Sequence, residues 1–109
     1  MTGVDLQDFL SKPAASLPRT TTLLHESGVR TLLLHLNAAE HMPEHQTRGA
    51  IVVHCLTGKG AFLIGSDRLE LRPGLLISVP PAVSHTVIAA EDEDLSLLVT
   101  VSEQIAPVA

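Results

Sequence analysis

The chain contains no tryptophan and no tyrosine, and its only aromatic side chains besides histidine are Phe9 and Phe62. Sugar sites that stack a ring against an aromatic face have little to build with here. A single cysteine, Cys55, rules out a disulfide framework within the chain, and no CxxC pair is present for zinc. Seven Lys and Arg stand against twelve Asp and Glu, for a net charge of −5, and the basic residues are scattered. Nucleic-acid binding normally needs a basic face that displaces counterions, so that class is set aside. No apolar run approaches the roughly 20 residues of a membrane helix, so no membrane partner is expected. Met1 to Leu10 carries Asp5 and Asp8 and no basic cluster, which is not the pattern of a secretory signal. A cytoplasmic location is the default expectation.

What is present is 109 residues, 45% of them apolar, enough for one domain with a modest core. Thr2-Gly3-Val4-Asp5 has the form of a capping box, and Leu6, Phe9 and Leu10 share a helical face, predicting a short helix to about Ser11. Pro13 and Pro18 bracket a loop. From Thr20 the pattern becomes that of short strands separated by turn signals. A hairpin runs from Thr20 to Asn37 about Ser27-Gly28. A short strand is expected at Glu44 to Thr47, then others at Ala50–Leu56, Ala61–Ile64, Arg68–Leu71, Leu75–Val79, Ser84–Ala89 and Leu95–Val101. About nine strands so spaced predict an all-β sandwich or barrel. The division is residues 1–19 as N-terminal helix and loop and 20–109 as barrel.

The stretch bounded by His45 and His85 carries the most information. Gly74, five residues, Pro80-Pro81-Ala82, two residues and His85 form one spaced motif. Ala39, five residues, His45-x-Thr47, three residues, Ile51, six residues and Gly58 form another. These spacings, over roughly Val29 to Val101, resemble the two motifs of the cupin superfamily, in particular its small conserved-barrel, RmlC-like members. The resemblance implies a cupin double-stranded β-helix, a jelly-roll-like barrel, with a short N-terminal helix. The residues depart from the family pattern at several places. Ala39 and Ala82 stand at glycine positions, Thr47 at the second histidine, Ile51 at the glutamate and Ala89 at an asparagine.

In that fold two histidines and a carboxylate face a third histidine, a donor set for a divalent transition metal. Side chains alternate across a strand, so residues 45 and 47 share a face, as do 85 and 87. His45 and His85 are therefore expected in one pocket, beside Thr47 and Ile51 and with Val53 and Val87 on its walls. Threonine is a poor neutral ligand and isoleucine none, so any metal site is expected to be weak. His41, four residues before His45, has the parity to substitute as a third ligand. His25, His35 and His54 read as surface or hydrogen-bonded residues, and Cys55 as a small buried hydrophobe.

Two functions compete. One is binding of a small molecule in a largely apolar pocket with His45, His85 and Thr47 as polar points. The other is a metal-dependent cupin enzyme of dioxygenase, isomerase or decarboxylase type, using His45, His85 and His41. A sugar-epimerase reading lacks the tyrosine such cupins use, and only Arg48 lies close enough for a phosphosugar. A sensor module finds nothing in the sequence to support it. Apolar residues at both parities of Leu32-Leu33-Leu34 and Ile51-Val52-Val53 suggest a covered outer face, hence a homodimer. Leu32, Leu34, Val52, Leu97 and Val99 are the candidates for that face.

Overall fold

The computed structural model describes residues 2–13 and 16–103. Its elements are α1 (Gln7–Leu10), β1 (Thr20–Glu26), β2 (Val29–Leu36), β3 (Ile51–Thr57), β4 (Gly60–Ile64), β5 (Asp67–Leu71), β6 (Leu76–Val79), β7 (His85–Ala89) and β8 (Leu95–Ser102). A five-stranded sheet in the order β1-β2-β8-β3-β6 faces a three-stranded sheet in the order β5-β4-β7. All pairings within both sheets are antiparallel. The architecture is the all-β barrel expected, with a short N-terminal helix. The expected barrel end, 104–109, lies outside the described residues. No helix among the described residues is long and apolar enough to cross a membrane.

Residues directly opposite on antiparallel strands point to the same side of a sheet. Leu32 therefore shares a row with Val99, Val53 and Ile77, and the next row is Arg30, Val101, Ile51 and Val79. These rows face the small sheet. Phe62 is 1% exposed and Val87 3%, and they complete the core from the other side. One end of the barrel is sealed by Leu36, Leu95 and Cys55, each 0% exposed. Burying Cys55 among apolar groups pushes its thiol pKa up, as expected of an inert buried cysteine. Gly58, at φ 86°, closes the turn after β3, where an added Cβ would lie 1.8 Å from the Asp94 carbonyl oxygen.

Three expectations need correction. Helix α1 does not start from a Thr2 capping box. Its N-cap is Leu6, and the Asp5 side chain accepts the Gln7 N–H at 2.9 Å instead. Four residues are all that form, and so short a helix depends on tertiary support. The strand at Glu44 to Thr47 is absent, which leaves eight strands among the described residues; the segment pairs with its neighbours through isolated bridges, His41 to Ile88 and His45 to His85, and scattered hydrogen bonds rather than a continuous ladder. Pro43 lacks the N–H a ladder needs, and Gly49 ends the segment against Ser102. Finally, of the five residues proposed for an outer face, only Val52 points outward. Leu32, Leu34, Val99 and Leu97 line the interior.

Candidate functional site

Towards the end of the barrel opposite Leu36 lies a cavity of about 230 Å³. His45, Thr47, Ile51, Val53, His85 and Val87 all line it. Two adjacent backbone exchanges set the geometry. The His45 N–H donates to the His85 carbonyl at 3.0 Å, and the His85 N–H donates to the His45 carbonyl at 2.9 Å. Such a hydrogen-bonded pair puts both side chains on one face. The imidazole centroids are 4.4 Å apart, with the rings inclined at 61°.

Each ring is also fixed by its own strand. His45 Nδ1 is 3.0 Å from the Pro43 carbonyl, and His85 Nδ1 is 3.0 Å from the Val83 carbonyl. A carbonyl only accepts, so the hydrogen sits on Nδ1, and in each neutral imidazole the lone pair is left on Nε2. Phe62 stacks on His85 with centroids 5.5 Å apart and planes 12° apart. His85 is 3% exposed, and its pKa is lowered first by desolvation and further by the charge of His45, against the opposing hydrogen bond to Val83. His85 thus favours its neutral form. Thr47 Oγ1 donates to the Gly49 carbonyl at 2.9 Å, so its proton is committed to the backbone.

His41 is not brought to this site. Its backbone pairs with Ile88, on the outward face of β7, whereas His45 pairs with the inward His85. The two histidines lie four positions apart on their side while their partners lie three apart, so the chain is irregular between them and the parity argument fails. Met42, whose N–H donates to the Val87 carbonyl at 2.9 Å, takes the inward place instead. Among the described residues no group of three or more His, Cys, Asp or Glu is placed to hold a metal. Glu44, the nearest carboxylate in sequence, accepts a hydrogen bond from Ser84 at 2.6 Å in an exposed position. Two imidazoles and a hydroxyl already donating fall short of the three or four protein donors of a tight divalent site. The residues present do not fit a resident metal of the family's usual kind.

His35 is buried for a different purpose. Its Nδ1 lies 3.1 Å from Ser96 Oγ and its Nε2 3.2 Å from Asn37 Oδ1, so a structural network occupies both nitrogens. His25 is exposed, 3.4 Å from Glu103, and His54 lies on the outer face of β3.

The sequence reading passed over Arg30 and Phe62, which also line the cavity. Arg30 has the same parity as Leu32, Leu34 and Leu36, the inward positions of β2, but both parities of that strand are apolar, so the sequence does not mark this side as inward. Phe62 was visible as an apolar strand residue, but its stacking on His85 follows from a pairing between distant strands.

The cupin-domain family profile matches residues 32–101, well over half of the chain. No curated protein matches the sequence. Among solved structures, a cupin protein from Bacteroides fragilis superposes with a TM-score of 0.70 at 21% identity, covering 86% of each chain. A cupin superfamily protein from Desulfitobacterium hafniense gives 0.71 at 16% identity, covering 78% of this chain and 76% of that one. A DMSP lyase from Ruegeria pomeroyi gives 0.71 at 21% identity over 82% of this chain, which spans about half (48%) of the lyase. At these identities the likeness extends to the fold alone.

Proposed function

The chain belongs to the cupin family, and we propose that it works as a small-molecule binder, holding an organic ligand in the barrel cavity between His45 and His85. The observation that carries this reading is the make-up of the cavity. Apolar walls from Ile51, Val53, Val87 and their neighbours meet a few polar points, the buried His85, the half-buried Thr47 and the more exposed His45 at the rim. With both Nδ1 atoms held by backbone carbonyls, His45 and His85 offer acceptor lone pairs at Nε2. A donor group on the ligand, or a water bound beside it, would satisfy them.

The second reading is a metal-dependent cupin enzyme. One observation favours it: an Nδ1–H anchored to a backbone carbonyl is the usual way a metal-binding imidazole is oriented. Against it stands the missing third protein ligand. A cytoplasmic site of action and a homodimeric state accompany the binding reading as further proposals.

Elemental analysis of untagged protein, beside a His45→Ala/His85→Ala variant, decides between the two. The binding reading expects no stoichiometric transition metal in either. Near-stoichiometric metal in the wild type, lost in the variant, would overturn it in favour of the enzyme.

A further inference from the structure

The polar end of the cavity carries a feature that the two histidines do not explain. Arg30 belongs to the inward-facing row with Val101, Ile51 and Val79, at the edge of the apolar cavity. Beyond it lies a depression of about 430 Å³ that shares Arg30, Thr47 and Val101 with the cavity and adds Arg48, Gly49, Ser102 and the carboxylate of Glu103. Two of the chain's seven basic residues thus flank one opening on a protein whose net charge is −5.

Among the described residues the Arg30 guanidinium is only partly engaged, by the Glu103 carboxylate, and no ion pair of Arg48 is found. Arg30 Nε is buried and has no hydrogen-bond partner among the described residues. Glu103 Oε1 stands 3.4 Å from it, an ion-pair contact without hydrogen-bond geometry, and Glu103 is also drawn to His25 at 3.4 Å. The Arg30 side chain remains 41% exposed, so its outer nitrogens reach solvent at the opening. A guanidinium is a planar fork of donors that matches a carboxylate with paired hydrogen bonds. Placed where water meets an apolar cavity, it selects a molecule with one anionic end and one greasy end.

The cavity sets the size of the greasy end. On the scale by which a cavity of about 150 Å³ takes benzene, one of 230 Å³ takes a body of roughly nine non-hydrogen atoms. Resting on the small-molecule reading above, we infer that the ligand is an apolar monocarboxylate, a medium-chain or aryl acid. Its body lies between Ile51, Val53 and Val87, and its carboxylate is held at the opening by Arg30 with Arg48.

Methyl NMR titrations with octanoate and with 1-octanol test this. The alcohol matches the acid in chain length and lacks its charge. Shifts at the Ile51, Val53 and Val87 methyls report occupancy of the cavity for both. Octanoate is expected to bind about tenfold or more tightly than octanol, the worth of a charge-assisted hydrogen bond. That preference should shrink in added salt. It should fall to near parity in Arg30→Gln, and partly in Arg48→Gln, an exposed position whose replacement leaves the fold intact. Equal binding of the two probes by the wild type would overturn the carboxylate inference and leave the apolar pocket standing. A preference that survives both arginine replacements would overturn it equally. Failure of both probes to shift the cavity methyls would overturn the pocket reading and this inference with it.

Discussion

Replacing Ala39 and Ala82 with glycine is expected to stabilise this protein, against the usual effect of adding glycine. Both alanines occupy the left-handed region, with φ of 68° and 61°. An L-residue with a Cβ pays about 1–2 kcal/mol there. Glycine removes that strain but loses roughly 0.5–1 kcal/mol more chain entropy on folding. The net gain is then about 0.5–1 kcal/mol at each site. The two residues sit at different ends of the barrel: the Ala39 N–H donates to the Ala90 carbonyl, and the Ala82 N–H donates to the Thr47 carbonyl. With no shared partners their effects should add. The double variant should gain about 1–2 kcal/mol in urea unfolding at unchanged m-value, and melt about 5–15 °C higher. Ala50→Gly is the control. Ala50 is not among the positive-φ residues, so glycine there should destabilise by about 0.5–1 kcal/mol. If Ala39→Gly and Ala82→Gly both destabilise as Ala50→Gly does, the left-handed assignment and the strain argued from it are wrong. The positions are also those at which the cupin motifs carry glycine.

Two other outcomes follow from the site and the surface. Because the His85 pKa is depressed in the folded state, the unfolded chain takes up that proton first, at about pH 6.5. The contribution is whole above that pH and is lost as pH falls from there through the folded-state pKa. His85→Gln should flatten this part of the profile in urea midpoints measured between pH 5 and pH 8; an unchanged slope would contradict the assigned environment. On the outer face of the five-stranded sheet, Leu76 (64% exposed) and Val52 (47%) lie near Leu98, in the place a homodimer would cover. Light scattering at micromolar concentration should give a dimer mass, and Val52→Lys/Leu76→Lys a monomer; a wild-type monomer would refute the dimer.

Much of the site could be read from alternation alone. Within β3 and β7 the period of two holds without interruption, so Ile51, Val53, His85 and Val87 could be assigned to one side from sequence, and the structure places them there. In β2 the rule could not place Arg30, which shares the parity of Leu32 and Leu34. It misled at His41, because the 41–47 segment forms isolated bridges and an irregular step exchanges His41 for Met42. It misled again at the outer face, because both parities of β2 are apolar and alternation cannot say which side of such a strand is inside.

By itself, the sequence determined the strand pattern, the turns and the spacing of two motifs, since these depend on neighbours along the chain and on local steric and hydrogen-bonding preferences. It also determined the chemistry available: no tyrosine, two motif histidines, and an isoleucine where a carboxylate would complete a metal site. Only the tertiary structure decided which groups meet. The ring-to-ring approach of His45 and His85, the stacking of Phe62 on His85 and the arrival of Arg30 at the same opening all come from register between strands far apart in the chain. A shift of one residue in any of those pairings would turn the side chains to the opposite face, and no local preference along the chain records that choice.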